Sequence, residues 1–156
     1  MLLESEVALE PRTELFLFLA DRVEHVRRVI APALAAGTIV LCDRFADSTI
    51  AYQGYGRATD LDEVRRWDTA SRDGIAPDLT LLLDCPLAVA APRRRHASDR
   101  YQSLDDTFHE RVRAGFLALA AAEPRRIRRI DASAPIETVR AEIAAVVDRW
   151  LAERVG

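Results

Sequence analysis

With 156 residues, 49% of them hydrophobic and 30% charged, the chain has the size and proportions of one soluble globular domain with a real core. A net charge of −3 argues against general affinity for nucleic acid or acidic membrane, and no apolar run is long enough to span a bilayer. The N-terminus carries no secretory pattern, so the expected location is the cytoplasm. Cys42 and Cys85 both close apolar runs and read as buried thiols rather than a disulfide or zinc site. All 22 basic residues are Arg and the first Gly is Gly37, so a Gly-x-x-x-x-Gly-Lys-Ser/Thr phosphate loop is excluded from this sequence.

Residues 1–12 show no strong periodicity, and Pro11 stops whatever precedes it. Thr13 is the expected N-cap of a long amphipathic helix, with apolar residues at 15, 16, 18, 19, 23, 26, 29 and 30. Pro32 should kink or end its main body near Ile30, and Gly37 closes the segment. Phe18 and Arg22 are four apart and share one face. Taken alone, Phe18 also suits a core position and Arg22 a solvated charge.

The apolar run 38–42 reads as a buried parallel strand that ends in Asp43-Arg44. Ligands of open α/β sheets bind just outside the carboxyl ends of strands. There the Asp43 carboxylate suits Mg²⁺, held directly or through water, and the Arg44 guanidinium suits phosphate oxygens. Ser48, Thr49, Tyr52 and Gln53 add hydroxyls and an amide within about one and a half helical turns, equipment for a small polar ligand. The same pattern in isolation also describes a strand ending in a surface ion pair.

Tyr55-Gly56-Arg57 reads as a flexible turn, and 60–73 as a helix capped by Asp60 with early carboxylates on its dipole. Gly74 and Pro77 mark a loop before a second buried strand, 79–84, again ending in a carboxylate. Pro86 opens the next helix and Pro92 disturbs it. The segment 93–101, RRRHASDRY, is the most basic in the chain. Such a run is usually a solvated face; it also fits a mobile arginine lid closing over phosphates, with His96 incidental. A helix over 104–122 carries Phe108, Val112, Phe116 and Leu119 as a core stripe. A third strand at 126–131 and an amphipathic helix at 135–155, without a special cap, complete the chain. Strands alternating with helices imply an α/β fold, a parallel sheet covered on both faces. Three strands make it narrow, and it looks incomplete at its N-terminal end.

Taken together, LFLADR at 17–22, Pro-Ala-Leu-x-x-Gly at 32–37, DRFADSTIAYQG at 43–54, PDLTLLLD at 77–84 and the Arg-rich segment ending Asp99-Arg100-Tyr101 resemble bacterial thymidylate kinase over essentially the whole chain. Phe108-His109-Glu110-Arg111-Val112 and Ile130-Asp131-Ala132-Ser133 resemble it too. The resemblance implies a single three-layer α/β domain of the phosphate-loop nucleotide kinase type. It implies transfer of the γ-phosphoryl group of ATP to dTMP, giving dTDP for dTTP biosynthesis, with Mg²⁺. Phe18 would stack on thymine and Arg22 would donate to its carbonyl edge. Thr49 and Gln53 would line the base pocket, Ser48 would support the turn, and Tyr52 would press on the deoxyribose and exclude a 2′-hydroxyl. Arg44 would hold the dTMP phosphate while Asp43 helps organise Mg²⁺. Arg93, Arg94, Arg95 and Arg100 would form the lid, with Ala132 and Ser133 near the adenine of ATP. The family is usually homodimeric, and the helix from Thr13 is the candidate surface.

The resemblance also implies a preceding phosphate-loop unit and an Arg-Glu-Pro-Gly-Gly segment, about 50 residues in all, that this sequence lacks. The expectation is therefore an N-terminally truncated kinase, weak or inactive by itself. The alternative of another class is a non-catalytic remnant that binds nucleotide or a partner chain. A kinase for another nucleoside or nucleotide fits less well, because LFLADR and AYQG match the thymidylate branch.

Overall fold

A computed structural model of the chain describes residues 9–93, 101 and 104–155. The described residues fall into two compact units, one within 9–76, 101 and 104–116 and the other within 77–93 and 117–155. Among the described residues no helix is long and apolar enough to cross a membrane.

The first unit is helical. Helix α1 (Pro11–His25) starts two residues before the expected cap: Glu10, not Thr13, accepts hydrogen bonds from the amides of Arg12 and Thr13. Pro11 occupies the first turn, where its missing N–H costs nothing and its fixed φ favours the helix. Pro32 does not end the helix near Ile30. The chain widens to a π-helical stretch at Val26–Ile30, in which Ala31 N–H reaches Val26 O, and continues as α2 (Ala31–Ala35). A wide turn directly ahead of a proline is a recognised way to accommodate the ring within a helix. The end is a Schellman motif: Gly37, at φ +73°, donates to Leu34 O at 2.9 Å and Thr38 donates to Ala33 O at 3.0 Å.

The expected strand at 38–42 is not one. Among the described residues no strand pairs with it, and Ile39 and Leu41 stand 79% and 98% exposed. Apolar character nominates a strand, but a ladder partner makes one. The polar segment that follows is helical: α3 (Ala46–Thr49) runs into a π-helical segment at Ile50–Gly56. The expected flexible turn at Tyr55-Gly56 is therefore helix, closed by Arg111, which donates from Nε and Nη2 to Gly56 O. Helix α4 (Leu61–Ser71) is capped by Asp60 as expected, accepting from Asp62 and Glu63 amides at 2.9 Å. It joins α1 through Arg12–Glu63 at 2.7 Å and an edge-on Phe16–Trp67 pair.

The second unit holds a parallel pair, β1 (Thr80–Asp84) and β2 (Ile127–Asp131), in register from Thr80↔Ile127 to Asp84↔Asp131. The α/β class and the parallel sheet are as expected, although the described strands number two rather than three. Nor is β1 the buried strand expected: Asp84 is buried, but Leu83 is 53% exposed. The Asp84 carboxylate is held by Arg129 Nε and Nη2 at 2.9 and 2.6 Å. Helix α5 (Leu87–Arg93) begins on Pro86 O, and α7 (Ile136–Val155) packs on β2. Helix α6 (Asp106–Ala122) starts in the first unit, where Asp105 Oδ1 caps the Phe108 amide at 2.7 Å, and ends in the second.

Candidate active site

One ridge of α1 builds the site. Glu14, Phe18 and Arg22 recur every fourth residue and point along one face, with Leu15 and Leu19 burying the same side. This ridge lies along the helix at 46–56, which answers with Thr49, Gln53 and Arg57. Arg22 Nη2 donates to Thr49 Oγ1 at 2.9 Å, and its guanidinium lies over the Phe45 ring at 4.6 Å. Burial draws the Arg22 guanidinium below its ordinary value, opposed first by Asp68, whose Oδ1 lies 3.9 Å from Arg22 Nη1. Arg22 Nε and Nη1 are buried without a hydrogen-bond partner.

At the other end of the ridge Glu14 is fully buried and bound twice by Arg57, Nε to Oε1 at 3.3 Å and Nη2 to Oε2 at 3.0 Å. Gln53 Nε2 donates to Glu14 Oε1 at 3.3 Å and to the Tyr101 hydroxyl at 3.0 Å. Burial raises the Glu14 carboxyl, but hydrogen bonds from Arg57, Tyr101 and Gln53 outweigh it and leave the group below its ordinary value. Phe18, between the two, faces Tyr101 at 6.2 Å. Tyr101 stacks on Phe108 at 6.1 Å and meets Tyr52 edge-on at 5.4 Å. The result is an aromatic wall floored by Ala51, Phe108 and Val112.

Asp43 and Arg44 stand exposed at the mouth of this segment. Arg44 adopts φ +64°, a left-handed backbone that costs an ordinary residue free energy and gathers at functional positions. Its guanidinium lies 5.0 Å over the Tyr52 ring. Just before it, Cys42 Sγ donates to Arg44 O at 3.3 Å; this thiol is half-buried rather than buried, and burial raises its pKa.

Six of the expected residues thus meet in one place: Phe18, Arg22, Arg44, Thr49, Tyr52 and Gln53. Ser48 is half-buried, and its backbone amide donates to Phe45 O at 3.1 Å. In the second unit Arg93 Nη1 donates to Ala132 O at 2.9 Å, joining one expected lid arginine to the expected adenine loop. Ser133 fastens that loop through Oγ and N to Asp131 Oδ1, and those hydrogen bonds lower the Asp131 pKa. Arg94, Arg95 and Arg100 lie outside the described residues.

Three residues were missed by sequence reasoning. Glu14 continues the four-residue spacing of Phe18 and Arg22, a signal that could have found it. Arg57 likewise continues the spacing of Thr49 and Gln53. Tyr101 offered no local signal, because its partner Gln53 is 48 residues away in sequence.

No group of three or more His, Cys, Asp or Glu able to hold a metal occurs among the described residues. Among those residues, Asp43 therefore joins no all-protein cage. A single exposed carboxylate of this kind suits a Mg²⁺ ion that keeps several of its waters.

Residues 1–143 match the family model described as thymidylate kinase. A protein named thymidylate kinase from Desulfovibrio desulfuricans is 51% identical over 155 residues, covering 94% of this chain and 71% of the relative. Its counterpart in Synechococcus sp. (strain JA-2-3B'a(2-13)) is 52% identical over 138 residues, covering 88% and 66% respectively. That of Geobacter sulfurreducens is 47% identical over 148 residues, covering 90% and 70%.

Proposed function

Because the chain belongs to the thymidylate kinase family, whose reaction converts dTMP and ATP to dTDP and ADP, we propose that the α1 ridge and the helix at 46–56 form its dTMP site. The observation that carries this reading is the meeting of Phe18, Arg22, Thr49 and Gln53 beside a strained Arg44.

In this reading Phe18 stacks on thymine and Arg22 donates to its carbonyl edge, with Thr49 and Gln53 as lining. Tyr52 packs against the deoxyribose and leaves no room for a 2′-hydroxyl. Arg44 holds the dTMP phosphate, its rigid fork matched to phosphate oxygens. The acceptor is itself an anionic phosphate oxygen, so no strong general base is required. Positioning and charge neutralisation supply the acceleration. Asp43 would hold Mg²⁺, directly or through water, and the ion would supply charge neutralisation between phosphates. Arg93, Arg94, Arg95 and Arg100 serve as the lid, at about 93–101, of a single kinase domain, with Ala132 and Ser133 beside adenine. We assign the protein to the cytoplasm, the location the resemblance implies. We also infer a homodimer through the outer face of α1, where Phe16 and Leu17 are each 41% exposed.

Calorimetric titration of the full chain with dTMP tests the site. Phe18→Ala and Arg22→Ala should each weaken binding, and Arg44→Ala should cost more, about 1.5–3 kcal/mol for a charge-assisted contact. Unchanged affinity in both Phe18→Ala and Arg22→Ala would defeat the base pocket, and full dTMP affinity in Arg44→Ala would remove its phosphate role.

A further inference from the structure

Behind Arg22 lies a carboxylate to which the proposed site gives no task. Asp68, on α4, is fully buried, which is rare for a carboxylate unless it is paired. Its Oδ2 accepts from Arg72 Nε at 3.0 Å, and Arg72 is anchored in turn by donating from Nη1 to Ile75 O at 2.8 Å. The other oxygen, Oδ1, has no hydrogen-bond partner and faces Arg22 Nη1, which also has none, across 3.9 Å. The Asp68 side chain is only 1% exposed and cannot touch a ligand itself. Whatever it does for ligand binding, it does through Arg22, whose side chain is 11% exposed.

The guanidinium plane of Arg22 rests on Phe45, with Nη2 fixed to Thr49 and Nη1 directed at Asp68. A flat group with one face supported and two of three nitrogens aimed at anchored partners has its rotation set. Among neighbouring charges Asp68 does most to keep Arg22 ionised against burial, while Arg72 acts the other way. Other α1 and loop groups near Arg22, Asp21 and Cys42, contribute less. Resting on the base-pocket reading above, we propose that Asp68 is a positioning residue: it fixes the rotation of the Arg22 guanidinium so that Arg22 meets the carbonyl edge of the base.

Asp68→Asn keeps the shape and removes the charge. Affinities of the full chain for dTMP and for deoxyribose 5-phosphate, which has sugar and phosphate but no base, are measured by calorimetry and by ligand-observed NMR. The same titrations are run on Arg22→Ala and on the double variant. Asp68→Asn is expected to weaken dTMP about tenfold, leave deoxyribose 5-phosphate unchanged, and add nothing in the Arg22→Ala background, as coupled neighbours do. Asp68→Glu, which keeps the charge, should recover part of the loss, and serves in the same comparison where Asp68→Asn does not fold. Unchanged dTMP affinity, an equal loss for both ligands, or a full Asp68→Asn loss persisting without Arg22 would overturn the proposal. If Arg22→Ala itself leaves dTMP binding intact, the base pocket fails and this role with it. If Arg22→Ala weakens binding while Asp68→Asn does not, the positioning role alone is lost.

Discussion

Glu14 shows how much one residue can be asked to do. It carries a charge in the interior, and two bonds from Arg57 plus those from Gln53 and Tyr101 tie two separate stretches of chain to α1. Its folded pKa lies below the ordinary value, so ionised Glu14 stabilises the fold fully above the ordinary carboxylate range. That contribution fades as the pH falls through the lowered value. Glu14→Gln should therefore be less stable at neutral pH by about 2–3 kcal/mol, short of a fully buried pair because Arg57 keeps 20% exposure. Urea denaturation from pH 7 to 3 checks this: the gap between the two proteins should narrow toward acid, and parallel curves would assign Glu14 no titrating role. At this scale Phe18 and Arg22 were legible because helical spacing placed them together. Glu14 was not noticed, since an acidic residue in a first turn already has an explanation in the helix dipole.

Among the elements, the helix at 46–56 was the least expected. Two glycines and a run of polar residues resemble a loop, yet the glycines are sites of close approach. A Cβ on Gly56 would stand 2.7 Å from Phe108 Cε2 and 2.8 Å from Val112 Cγ2. One on Gly54 would meet Leu61 Cδ2 at 2.6 Å, the tip of a side chain that can turn away. Gly56→Ala should accordingly lose ~1–3 kcal/mol to overpacking, more than Gly54→Ala, where the helix gains up to ~1 kcal/mol in propensity. Denaturant midpoints of the two variants measure the difference; equal midpoints would mean that α6 yields as easily as Leu61. The run at 38–42 teaches the converse. It has the same apolar-then-Asp pattern as 79–84, yet among the described residues 79–84 paired with the arginine-rich 126–131 instead. Pairing is a property of two segments, so the pattern of one could not decide it.

For the molecule as a whole, composition and element order gave the α/β class, and motif order gave the family, because both survive the misreading of single elements. Assembly was the part least written in the sequence. The exposed Phe16 and Leu17 on α1 differ from core residues only in which way the helix is turned. Leu17→Glu should shift a homodimer toward monomer in sedimentation velocity while leaving dTMP affinity in place; an unchanged species would move the interface elsewhere. The backbone of Arg44 has a consequence of another kind. At φ +64° glycine would rest without strain, and relieving an ordinary residue of that conformation is worth on the order of 1 kcal/mol. A chain selected only for robustness would drift to glycine there. On the phosphate-binding role proposed above, arginine at position 44 exchanges that durability for chemistry, and an engineer raising thermal tolerance would do well to leave the strain alone.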